Sequence, residues 1–204
     1  MKLIGTYVSP YARRVAAALV SRAIPYEHED LNGYANPLRA RELNPVGKVP
    51  VLELDDGERL IDSAAILDYL DELVGSARAL IPRSGSARRT ALRLSAVSTT
   101  VCEQVTAHYL EQQRPSGCTQ AALLERYRLQ IIGGLKALDE ASSPNGAIRV
   151  DRLDIATISA VIAFEYAQRW FRGFDPVPIA PALAQVAEMR RDEAAFAQTR
   201  PPID

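Results

Sequence analysis

The chain has 204 residues, 48% of them hydrophobic and 24% charged, with a formal net charge of −1 at pH 7. A chain of that length buries roughly 70% of the surface it would expose unfolded, so no metal or disulfide staple is required. The balanced charge gives no bulk attraction to nucleic acid or to an anionic membrane. Cys102 and Cys118 stand apart in neither CxxC nor metal-ligand spacing, so no disulfide framework and no metal site is expected, and a reducing compartment fits. The opening residues lack the charged head and apolar core of a signal peptide, and no apolar run reaches about 18 residues; a soluble cytoplasmic protein is the expectation. The arginine pairs Arg13-Arg14, Arg88-Arg89 and Arg190-Arg191 are dispersed and read as solvated helix faces.

Residues 3–7 read as a strand and 10–22 as a helix with Ala16, Leu19 and Val20 on its inner face. Residues 26–31 read as a second strand entered through Pro25, and 37–43 as a short helix. The run 49–54 is apolar and β-branched; Asp55-Asp56-Gly57-Glu58 supplies turn chemistry, and 59–61 is the return strand. Ile66, Leu67, Leu70 and Val74 then recur at helical spacing over 63–74. The order is βαβ followed by αββα, which implies a parallel pair with a right-handed crossover, extended by a hairpin.

Residues 75–87 carry Pro82, Gly85 and three serines with no period, the best boundary in the chain. We therefore expect a first domain over 1–77, a linker over 78–87 and an all-helical domain over 88–204. In that second part Leu94, Val97, Val101, Val105 and Tyr109 recur at three- and four-residue steps. So do Leu124, Tyr127, Ile131, Leu135 and Leu138, and then Ile155, Ile158, Ile162 and Tyr166.

Three segments could carry chemistry. Ser9-Pro10 marks a helix start, with Ser as cap and Pro at the first position. A helix N-terminus offers free N–H groups and roughly half a positive charge, which favours an anion such as a thiolate. A thiol of pKa about 8.5 is about 3% ionised at pH 7. Lowering it by about 2 units requires about 2.7 kcal/mol, within reach of one charge-assisted hydrogen bond plus the helix terminus. The second segment is Asn44-Pro45-Val46-Gly47-Lys48-Val49-Pro50. From the residues alone Pro50 reads as an ordinary trans strand start; a cis bond would turn the Val49 backbone outward, able to pair with an extended peptide. In the third, Asp62-Ser63 again reads as a helix cap, and an acid beside a free hydroxyl and amide suits a ligand with ammonium and carboxylate on one carbon.

Together, in this order and spacing, the segments resemble the thioredoxin-like domain of glutathione transferases, nearest the serine-type bacterial members of theta- and zeta-like kind. The ending Phe196-Ala197-Gln198-Thr199-Arg200-Pro201-Pro202 is similar to that of YibF-like bacterial members. Asp151-Arg152-Leu153-Asp154 resembles the family's capping motif at its core helix, with Asp151 as N-cap, Asp154 as its N3 carboxylate, and Val150 and Ile155 as a hydrophobic staple.

The resemblance implies that Ser9 hydrogen-bonds the glutathione sulfur and that Val49, before a cis Pro50, pairs its backbone with the cysteinyl part. It further implies that Lys48 lies near the glycyl carboxylate, and that Asp62 and Ser63 hold the γ-glutamyl ammonium and carboxylate. Asp62 stands where Glu or Gln is more usual, with shorter reach. Thr6 and Tyr7 are the other hydroxyls near the sulfur, and an N-terminal Tyr is the catalyst in some classes. A second substrate would sit against the helical domain, with Cys102, Val105, Tyr109 and Trp170 as lining residues, although a stripe at such spacing is more often core. His28 and His108 are expected at surface or capped positions.

The activity implied is conjugation of reduced glutathione, as co-substrate, to an electrophilic small molecule, as in detoxification, by a homodimer with no other cofactor. A thiol-disulfide oxidoreductase is disfavoured because Ser9-Pro10-Tyr11-Ala12 lacks both cysteines of a CPYC motif. The alternative is a regulatory or protein-binding member that keeps the fold without catalysis.

Overall fold

The computed structural model describes residues 1–202. The chain divides into two compact units, one made of residues 1–83 with 191–204 and the other of 84–190. In the first, β1 (Lys2–Ile4), α1 (Pro10–Ser21) and β2 (Glu27–Glu29) form the predicted βαβ, with β1 and β2 parallel. After α2 (Pro37–Leu43), β3 (Val51–Glu53) and β4 (Arg59–Ile61) form the hairpin, and α3 (Ser63–Val74) closes the unit. Strand order is β2-β1-β3-β4, with β3 antiparallel to both of its neighbours. Strands β1, β2 and β3 are shorter than the segments that predict them, while β4 spans the expected residues.

Ile4, Leu31, Leu43 and Val51 form a core cluster of this sheet, with Val49 and Ile61 packed against it. On α1, Ala12, Val15, Ala16, Ala17 and Leu19 are wholly buried. So is most of Arg13 and Arg14, each 4% exposed, against the expectation of a solvated pair. For Arg13 the returning chain explains the difference. Helix α8 (Ala194–Ala197) packs on α1, and Arg13 Nε donates to the Thr199 carbonyl at 3.0 Å. The sequence places residues 191–204 with the helical domain; in the folded chain the described residues among them, 191–202, belong to the first unit.

The second unit contains α4 (Gly85–Gln112), α5 (Ala121–Ala141), α6 (Ile155–Trp170) and α7 (Pro181–Arg190). Its core is the predicted stripes: Leu94, Val101 and Val105 from α4, Ile131, Leu135 and Leu138 from α5, and nearly all of α6. One cap differs from expectation. Helix α6 starts at Ile155 with Asp154 as its N-cap, and the Thr157 amide donates to Asp154 Oδ1 at 3.0 Å. Asp151 is exposed and pairs with Arg149 at 2.7 Å, and Val150 is exposed, so no staple forms. Buried Arg190 holds the preceding chain out of the helix by donating to the carbonyls of Arg149, Val150 and Arg152. Among the described residues no helix is long and apolar enough to cross a membrane.

Candidate functional site

Sheet register brings the three predicted segments of the first unit together. Ile4 pairs with Val51, and Val51 with Ile61, so these residues form one row across β1, β3 and β4. The chain leaves β1 just after that row towards Ser9, enters β3 just before it through Val49-Pro50, and leaves β4 just after it at Asp62-Ser63. Gly5 ties the first two. Its φ is +150°, and a Cβ there would lie 3.0 Å from the Ala12 Cβ and 3.1 Å from the Val49 Cβ. Only a residue without a side chain lets the loop pass between α1 and the Pro50 segment.

Ser9 caps α1: the Ala12 amide donates to its Oγ at 3.4 Å, and Pro10 occupies the first helical position. The hydroxyl proton of Ser9 has no acceptor among the described residues. Tyr7 is otherwise engaged. Its ring stacks on His28 at 4.1 Å and 4°, and its hydroxyl meets the Tyr26 hydroxyl at 2.9 Å. Burial, and then the bond to Tyr26, hold the Tyr7 phenol well above its ordinary pKa, so it stays neutral across the physiological range. Thr6 is buried, and its Oγ1 accepts from the Val8 amide at 3.4 Å.

The Val49–Pro50 peptide bond is cis. Val49 lies outside the ladder, and its amide and carbonyl bond to none of the described residues. The loop before it is braced by buried Asn44, which donates from Nδ2 to the Lys48 carbonyl at 2.8 Å and accepts at Oδ1 from the Val46 amide at 3.0 Å. Lys48 itself is exposed.

Asp62 has φ 69° and ψ 126°, outside the regions a residue with a side chain favours, at a cost of order 1–3 kcal/mol. Its Oδ1 accepts from the amides of Ala64 at 2.8 Å and Ala65 at 3.4 Å. The free end of α3 is thereby partly filled by its own cap. What remains for a ligand is the amide and hydroxyl of Ser63, a residue 5% exposed, and the second carboxylate oxygen of Asp62.

The four residues expected to line a second-substrate site all belong to the helical unit. Val105 is wholly buried and Cys102 is 3% exposed; both are packed into its core. Tyr109 and Trp170 are half-buried and meet edge to face at 5.0 Å. Arg169 lies over the Trp170 ring at 5.5 Å and Arg172 over the Tyr109 ring at 5.6 Å. His108, expected at a surface or capped position, is 6% exposed and edge-on to Phe171. Burial holds its pKa below the ordinary histidine value. No group of His, Cys, Asp and Glu among the described residues could hold a metal.

Sequence reasoning passed over Gly5, the bracing role of Asn44 and the Tyr7–His28–Tyr26 cluster. The glycine directly after a strand was the available signal; the cluster joins residues too far apart in the chain to announce themselves.

A family model of the glutathione S-transferase N-terminal domain matches residues 3–78. The GST-like protein YibF of Escherichia coli (strain K12) is 30% identical over 204 residues, covering 99% of each chain. A glutathione S-transferase from Methylobacterium radiotolerans, solved in complex with glutathione sulfonate, has a TM-score of 0.90 at 27% identity, covering 100% of this chain and 95% of that one. Another from Methylobacillus flagellatus, solved with GSH bound, has a TM-score of 0.90 at 28% identity, covering 98% and 99%.

Proposed function

This chain belongs to the glutathione S-transferase family and has its fold, a thioredoxin-like domain with a mixed four-stranded sheet followed by a helical domain; on that footing we propose that it binds reduced glutathione and conjugates it to an electrophilic small molecule. The observation that supports this best is the Ile4–Val51–Ile61 row. It sends three segments out of one end of the sheet, each with polar groups that nothing else in the unit uses.

In this reading the Val49 amide and carbonyl pair with the cysteinyl backbone of glutathione as an added strand would. Ser63, through its amide and hydroxyl, takes the γ-glutamyl carboxylate at the N-terminus of α3, while the second oxygen of Asp62 faces the ammonium. Lys48 serves the glycyl carboxylate. The cysteinyl sulfur then lies at the start of α1, where the Ser9 hydroxyl donates to it and the helix terminus favours the thiolate. The thiolate attacks the electrophilic carbon, a carbon–sulfur bond forms, and the leaving group departs with the electron pair or the double bond takes up a proton. The family resemblance points to the cytoplasm and to a homodimer, and light scattering of the purified protein would test the dimer.

Calorimetric titration with reduced glutathione is the deciding experiment. Saturable binding by the wild type, lost in the Asp62→Ala/Ser63→Ala double variant, is the expected result. With binding established, Ser9→Ala is expected to lower turnover of an electrophile by about 10- to 100-fold, the worth of a charge-assisted hydrogen bond of about 1.5–3 kcal/mol. A wild type that fails to bind glutathione would turn the reading to a regulatory protein that keeps the fold.

A further inference from the structure

The loop that carries Ser9 is tied to β2 at more points than strand pairing requires. The Gly5 amide donates to the Glu29 carbonyl at 3.0 Å, and the Thr6 amide to that of Leu31 at 2.9 Å. The Gly5 carbonyl turns out of the ladder, and His28 Nε2 reaches it at 2.8 Å. A carbonyl only accepts, so this nitrogen carries the proton. The same imidazole lies flat against Tyr7, whose hydroxyl is held by Tyr26. One exposed side chain on the edge strand therefore grips the loop on both sides of Thr6.

The loop has little slack. Gly5 sits between Ala12, whose amide caps onto Ser9, and Val49, at distances a Cβ would not tolerate. A displaced Gly5 must press on the first turn of α1 or on the backbone proposed to hold the cysteinyl group. Either movement changes the separation between Ser9 Oγ and the sulfur, and a shift on the order of 1 Å in such an alignment can cost as much as 10²-fold.

We propose that His28 is a positioning residue for the thiol site, fixing the Gly5–Ser9 loop through the Gly5 carbonyl and the Tyr7 ring so that the Ser9 hydroxyl meets the sulfur. This rests on the reading of Ser9 given above. His28 touches no glutathione atom in that reading; it acts through the loop alone.

The test follows the thiolate absorbance of glutathione bound to the full-length protein as pH is varied, for the wild type, Ser9→Ala, His28→Ala and His28→Gln. The side chain of His28 is exposed, so its variants are expected to fold, and thermal melts check this. His28→Ala is expected to raise the apparent thiol pKa by about 0.5–1 unit, a three- to tenfold loss of thiolate at pH values below it, with glutathione affinity within about twofold of wild type. His28→Gln, whose amide donates from a similar position, is expected to restore at least half of the shift. A role in stability alone would move the melts and leave the thiol titration in place. If Ser9→Ala shifts the titration and His28→Ala does not, or if the Gln variant is as defective as the Ala variant, the inference falls while the reading of Ser9 stands. If Ser9→Ala leaves the titration unchanged, or the wild type binds no glutathione, both fall together.

Discussion

Two hydroxyls stand two residues apart at the β1–α1 turn, and their surroundings give them different chemistry. Tyr7 is spent on His28 and Tyr26, while Ser9 caps a helix with its own proton unused. Tyr7→Phe keeps the stacked ring, so it is expected to move the thiol titration of bound glutathione by less than about 0.3 unit, against about 1–2 units for Ser9→Ala. A larger shift in Tyr7→Phe would make Tyr7 the sulfur's partner. His108 allows a second test at this scale. Its folded pKa is depressed by burial, so as pH falls through the ordinary histidine value the unfolded chain takes up a proton that the folded chain refuses. Stability therefore falls with it. Denaturant titrations at pH 7 and pH 5 should show that loss in the wild type and a smaller one in His108→Gln.

Helices in the second unit depend on a few positions where one residue decides a contact. Asp154 is 6% exposed and accepts from both the amide and the hydroxyl of Thr157. Asp154→Ala is expected to cost about 1–2 kcal/mol, a drop of several degrees in melting temperature. Asp151→Ala, at the position the sequence suggests as the cap, should cost much less, since its partner Arg149 is an exposed one. The adjacent glycines of α5 make a sharper comparison. A Cβ on Gly134 would lie 2.4 Å from Val101 Cγ2, whereas one on Gly133 meets nothing within 4 Å. Gly133→Ala is expected to stabilise by up to about 1 kcal/mol. Gly134→Ala should destabilise by about 1–3 kcal/mol, because Val101 is β-branched and cannot swing aside. Chemical denaturation of the two variants reads both signs.

At the scale of the molecule the chain closes on itself. Residues near position 13 and near position 199 share one buried hydrogen bond, and Phe196 and Thr199 are almost wholly buried. A chain ending at Arg190 would uncover Arg13 and the apolar face of α1 without removing any residue of the proposed glutathione site. Its glutathione affinity is nonetheless expected to fall, with the loss tracking a lower thermal midpoint of the first unit. Affinity at the wild-type level in the shortened chain would show that the returning segment has no part in holding the site.

The sequence by itself determined the order of elements, the helix starts at Pro10 and Ser63, the hydrophobic stripes and the three segments of the candidate site. These follow from rules that act within about four residues: period, cap and turn chemistry. Only the tertiary structure decided which of the candidates have unused groups and what surrounds them. Tyr7 is occupied because Tyr26 and His28 arrive with β2, Tyr26 just ahead of that strand and His28 within it. Arg13 is buried because the chain returns after Arg190. The cap of α6 falls at Asp154 because Arg190 holds the residues before it. Each depends on a partner distant in sequence, and a local pattern carries no record of what a distant segment will cover.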